Sequence, residues 1–70
     1  MKERIINAMK NSNASVIFEN KYTGKVKFFN GLIGDFDFIT HPVFEELKKE
    51  GTIKPERCIC QGETRYIFGG

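Results

Sequence analysis

The chain has no tryptophan, one histidine and two cysteines among its 70 residues, and these shortages limit the chemistry that it can carry. His41, Cys58 and Cys60 together fall one ligand short of the four that a structural zinc ion takes, and a Cys-x-Cys pair matches no common zinc signature. Alternating cysteines on a strand commonly serve as small apolar side chains. We therefore expect no metal site and no cofactor.

Residues for catalysis are equally scarce. No Ser–His–acid set has support from spacing, because the single histidine stands beside Pro42 at a helix start. Pairing His41 with Cys58 would join a base to a nucleophile, yet little besides Arg57 and Arg65 favours a reactive thiolate there. We assign no catalytic residues and expect a protein that is not an enzyme.

Long apolar runs are absent as well. No run approaches the roughly 20 residues that span a bilayer, and Ile5-Ile6 is too short for the core of a signal peptide. We expect a cytoplasmic protein with reduced thiols and no membrane partner.

The chain also lacks a concentrated basic stripe. Its net charge is +2, but residues 31–51 carry five carboxylates against two lysines, a net −3. Phosphate binding usually depends on clustered lysine and arginine, so this distribution disfavours a nucleic-acid partner.

Two helices are predicted from the spacing of apolar residues. The first covers residues 2–12 and ends at Asn11-Ser12-Asn13. The second covers residues 41–50, with Thr40 as its cap and Gly51 at its end.

Residues 15–29 alternate between apolar and polar and predict a hairpin around the loop Asn20 to Gly24. Pairing Glu19 with Lys25 puts four apolar side chains on the core face and Ile17 on the solvent face. The four are Val16, Phe18, Val26 and Phe28.

A second hairpin is predicted over residues 57–68, with Gly62-Glu63 as its turn and Cys60 opposite Arg65. That register puts Cys58, Cys60, Arg65 and Ile67 on one face. Residues 30–39 are either a third strand, with two carboxylates on one face and two rings on the other, or a loop.

Together these elements predict one small α+β domain over residues 1–70 in the order α–β–β–(β)–α–β–β, an antiparallel sheet with both helices on one face. The predicted core comprises Ile5, Met9, Val16, Phe18, Val26, Phe28, Phe44, Leu47, Ile53 and Ile67.

We expect a non-catalytic binding module that acts by protein contact, an inhibitor or regulator of bacterial or phage type with a basic, nucleic-acid-handling target. A homodimer is another partner consistent with the sequence. The acidic, aromatic middle of the chain and one later tyrosine are the candidate contact residues. They are Asp35, Phe36, Asp37, Glu45, Glu46 and Tyr66.

The alternative is a winged-helix-like regulator that binds nucleic acid through the C-terminal helix and hairpin. It would depend on four basic residues coming together, namely Lys25, Lys27, Arg57 and Arg65. Against it, a helix with a net negative charge would be repelled by the phosphates of a major groove.

Overall fold

The computed structural model describes the backbone of residues 2–60 and 62–69, and the side chains of these residues except 57–60. Two helices, α1 (Lys2–Asn11) and α2 (His41–Glu50), accompany five strands. The strands are β1 (Val16–Asn20), β2 (Val26–Asn30), β3 (Asp35–Asp37), β4 (Ile53–Cys60) and β5 (Glu63–Phe68). They form one antiparallel sheet in the order β3-β2-β1-β5-β4. The predicted α+β architecture is confirmed, and residues 35–37 are a strand.

Both helices lie on one face of the sheet, because their apolar side chains share a single core with alternate strand residues. The fully or nearly fully buried members of this core are Ile5, Ala8, Met9, Ile17, Phe28, Phe44, Leu47 and Ile53. We call the opposite side of the sheet the open face, since neither described helix covers it. Neither of these helices is long and apolar enough to cross a membrane.

The first hairpin forms as predicted, but its register differs by one residue. Ile17 pairs with Phe28 and Phe18 pairs with Lys27, so Ile17 is in the core and Phe18 is on the open face. The side chain of Asn20 explains the difference. Its Oδ1 accepts the backbone N–H groups of Tyr22 and Thr23, at 2.9 and 3.1 Å, and the backbone N–H of Asn20 donates to the carbonyl of Lys25. Asn20, not Glu19, therefore closes the hairpin, and a one-residue shift exchanges the two faces.

The turn between β2 and β3 is built in the same way. Asn30 Oδ1 accepts the N–H of Leu32 at 2.9 Å, and the Asn30 carbonyl accepts the N–H of Gly34 at 2.9 Å. Gly24 and Gly34 each lie four residues after the asparagine and take the positive φ angles that end these turns, 73° and 69°.

The predicted register of the second hairpin is wrong. Cys60 pairs with Glu63 instead of Arg65, and two register irregularities shift β4 against β5 between Pro55 and Cys60. Ile67, which pairs with Lys54, alternates away from the core, so its assignment to the core is also wrong. Tyr66 and Phe68 pack against the core instead.

The prediction for α2 is confirmed at both ends, from His41 to Glu50. Thr40 occupies the cap position in an extended conformation, although its side chain makes no capping hydrogen bond. Gly51, at φ 77°, closes the helix through N–H groups that reach back to Leu47 and Lys48. Strands β1, β2 and β3 fill the middle of the chain, where a winged-helix domain needs a further helix, so that alternative does not describe this fold.

The register of the first hairpin predicts that isoleucine-to-alanine substitutions at two positions will lower the free energy of unfolding by different amounts. Ile17→Ala removes a side chain with 0% exposure and is expected to lower the free energy of unfolding by about 2–5 kcal/mol. Ile33→Ala, at a position that is 55% exposed, serves as the matched control and is expected to change it by less than about 0.5 kcal/mol. Urea denaturation measures both. Equal costs would contradict the register.

Candidate functional site

The acidic residues of the middle segment do not form one continuous surface, because α1 lies between them. Lys2 Nζ on α1 contacts Glu46 Oε1 at 2.7 Å and Glu50 Oε2 at 2.5 Å on α2. Arg4 Nε, one half-turn further, contacts Asp37 Oδ2 at 2.7 Å on β3. The basic residues of α1 thus neutralise acidic residues on both α2 and β3. The carboxylates of Glu46 and Glu50 raise the pKa of Lys2.

Asp37 is the most fully bonded of the predicted contact residues. Its Oδ1 accepts the N–H of Phe38 at 2.8 Å, and its Oδ2 accepts the side-chain amide of Asn30 at 3.2 Å as well as Arg4. These donors, led by the Phe38 N–H, hold the pKa of Asp37 below its usual value. Asp37 therefore fastens β3 to α1 and to the end of β2.

Tyr66, another predicted contact residue, belongs to the core side of the sheet. Its ring meets the Phe44 ring edge-on, with centroids 5.2 Å apart, and its hydroxyl donates to Glu19 Oε1 at 3.2 Å. Burial, followed by the nearby Glu19 carboxylate, raises the pKa of Tyr66. Lys48 Nζ lies over the Phe44 ring, 4.6 Å from its centroid, and contacts Glu45 Oε2 at 3.3 Å.

Glu45 and Glu46 are exposed on α2, away from β3, and each has a lysine partner. Burial opposes the charge of Lys48, but the carboxylates of Glu45 and Glu19 raise its pKa overall. The six predicted contact residues are therefore divided among α2, the core and β3. Asp35 and Phe36 are the two that are exposed on the same strand.

A surface that the prediction only partly included surrounds β3 at the edge of the sheet. We call it the apolar edge, and it consists of Leu32, Ile33, Phe36 and Phe38, which are 51%, 55%, 53% and 66% exposed. These are four of the five large apolar side chains that are exposed in the described part of the chain. The fifth, Tyr22, lies in the turn between β1 and β2.

Two of the basic residues predicted for the alternative function do come together. Lys27 on β2 and Arg65 on β5 are the direct cross-strand neighbours of Phe18 on β1, one on either side, and all three are on the open face. Lys25 precedes β2 and lines a shallow depression of about 580 Å³ together with Lys27 and His41. The side chain of Arg57 lies outside the described residues.

His41 has a structural contact in this depression, since its Nε2 lies 2.5 Å from the carbonyl oxygen of Gly24. The contact ties the start of α2 to the first hairpin. The predictions for the Cys58 and Cys60 side chains fall outside the described residues. Within the described ones, no group of three or more histidine, cysteine, aspartate or glutamate side chains is arranged to hold a metal ion.

Comparison with known proteins gives no guide to this surface. No protein-family model, no curated protein and no solved structure matches the chain.

The contacts of Asp37 predict a pH-dependent stability. Because its pKa is lowered on folding, the stability that Asp37 contributes is present above the ordinary aspartate pKa of 3.8 and is lost as the pH falls through the folded value. We expect the difference in urea midpoint between the wild type and Asp37→Asn to shrink between pH 7 and pH 3.

Carbon-13 NMR titration of the Asp37 carboxyl tests the cause directly. Asn30→Ala and Arg4→Gln each remove one donor and are expected to raise the measured pKa toward 3.8. A carboxyl that titrates at 3.8 or above in the wild-type protein would contradict the assignment.

Proposed function

We propose that the protein is a non-catalytic binding module that acts by protein contact, and that the apolar edge is its contact surface. The clustering of exposed apolar side chains supports this proposal: four of the five in the described part of the chain fall within residues 32–38. Single exposed apolar residues are ordinary on a protein surface, whereas adjacent ones mark interaction sites.

The contact would depend on side chains more than on the addition of a strand. The N–H of Phe36 donates to Asp35 Oδ1 at 2.7 Å, and the N–H of Phe38 donates to Asp37 Oδ1. Neither group is therefore available to an incoming backbone. Strand β3 is also only three residues long, which limits pairing along the edge.

Charge would supply a secondary preference. Asp35 is exposed on β3 beside Phe36, so a partner with an apolar pocket and a neighbouring cation fits best. Glu45 and Glu46 would be accessory at most, since both are engaged by lysines. Such a surface suits a small cytoplasmic inhibitor or regulator, of the kind that bacteria and phages encode, acting on a basic nucleic-acid-handling protein. A second copy of the chain is the alternative partner.

Photo-cross-linking in cells that naturally carry the protein tests the proposal. We expect benzoylphenylalanine in place of Phe38 to give a discrete cross-linked species, which mass spectrometry identifies. The same probe in place of Tyr22, which is 78% exposed but lies at another turn, is the matched control and should not give that species. A product at twice the mass of the chain would identify a homodimer.

Binding of the identified partner to the purified protein then measures the contribution of the edge. We expect Phe38→Ser and Leu32→Ser each to weaken binding by about tenfold, as for residues at the centre of an interface. Tyr22→Ser should leave the affinity within about twofold. Equal cross-linking at both probe positions, or unchanged affinity of the edge variants, would refute the proposal.

A further inference from the structure

The open face of the sheet carries a set of aromatic side chains. The cross-strand pairs place Phe18, Phe29 and Phe36 on this face, on three neighbouring strands. Phe18 and Phe29 are half-buried, and Phe36 is 53% exposed. The core cluster that the helices cover lies on the other side of the sheet and does not include these three rings.

The three rings are arranged to contact aromatic groups one at a time and not as a continuous stack. Phe29 and Phe36 are paired directly, with centroids 5.5 Å apart and planes at 83°. Phe18 is the diagonal neighbour of Phe29, a relation that separates side chains by about 7–8 Å. Because the Phe29 and Phe36 rings are nearly perpendicular, they cannot both stack on the parallel bases of a duplex. Each ring could take a base only from a strand whose bases are unstacked.

Cations lie directly beside these rings. Lys27 and Arg65 flank Phe18 on its two neighbouring strands, and Lys27 Nζ is 5.5 Å from the centre of the Phe36 ring. Arg65 is already ion-paired with Glu56, so a phosphate would have to replace or share this partner. Lys27 makes no ion pair within the described part of the chain, so its charge is available to a ligand.

The balance of charge differs between the two faces. Among the described side chains, the open face and its margin carry four cations and two carboxylates, whereas the two helices and the helix side of β1 and β3 carry five cations and seven carboxylates. The four cations are Lys25, Lys27, Lys54 and Arg65, and the two carboxylates are Glu56 and Glu63. A polyanion would therefore approach the open face and not α2.

We propose that the open face binds single-stranded nucleic acid, with bases stacking on Phe18, Phe29 and Phe36 and phosphates contacting Lys27 and Arg65. Aromatic side chains on an uncovered sheet, beside lysine and arginine, are a recurring way to hold unpaired bases. A duplex hides its bases from such a surface. This function is separate from the protein contact proposed above, although Phe36 is common to both surfaces.

Fluorescence anisotropy with labelled oligonucleotides of about twelve nucleotides tests the proposal, since sites of this kind cover roughly 4–16 nucleotides. Oligo-dT and oligo-U are compared with a duplex of the same length. We expect single strands to bind more tightly than the duplex, and binding to weaken as salt rises from about 50 to 200 mM. A difference in affinity between oligo-dT and oligo-U would show whether the protein prefers DNA or RNA.

The variants separate stacking from charge. We expect Phe36→Ala and Phe18→Leu to weaken single-strand binding by about tenfold, the scale of one lost base–ring contact. Lys27→Ala should reduce the slope of log Kd against log salt by about 0.7. Lys49→Ala, an equal charge change at an exposed position on α2, is the matched control and should change that slope less. Circular dichroism checks that each variant is folded. Because Lys27 and Phe36 are exposed, their variants test the proposal even if Phe18→Leu does not fold.

Three results would overturn the inference: no binding at 50 mM salt, duplex binding as tight as single-strand binding, or an equal effect of Lys49→Ala and Lys27→Ala. Leu32→Ser distinguishes the two proposals, because it removes part of the apolar edge and leaves the open face intact. It should leave oligonucleotide affinity unchanged even though it weakens the protein contact.

Discussion

The closure of the first hairpin at Asn20 is the constraint on which the rest of the structure depends. By accepting two N–H groups of the turn, the Asn20 side chain fixes the pairing of Ile17 with Phe28 at the centre of the sheet. The two helices then have one apolar face on which to pack. The same pairing turns Phe18 and Phe29 to the other side, so one side chain in a turn decides the composition of both faces.

Helix α1 has a second organising role through charge. Its Lys2 and Arg4 contact carboxylates of α2 and β3 that lie 33 to 48 residues further along the chain. Exposed ion pairs of this kind contribute little to stability, so their main effect is on the surface potential. They neutralise much of the acidic middle of the chain on the helix side, whereas Lys27 on the open face has no ion pair among the described residues.

The element order, the bounds of α2 and most of the helix contribution to the core were predictable from apolar spacing and from Gly51. The registers were not, because an alternating strand fits its neighbour almost equally well after a shift of one residue, and the turn decides between the alternatives. The repeated spacing Asn20–Gly24 and Asn30–Gly34 was the available signal. The division of the acidic residues by α1 depends on tertiary contacts between distant segments, which no local pattern records.

In a sheet that has helices on only one side, alternate residues of a strand belong to the core and the others do not. Along β1 and β2, positions that serve the core alternate with positions that the core does not need. Substitutions at exposed positions of the second set, such as Lys27, carry a small folding penalty. Natural selection can therefore alter the composition of the open face without rebuilding the domain. The same property makes this face a suitable place for a designed specificity, since Ile17 and Phe28 would maintain the fold while their neighbours are exchanged.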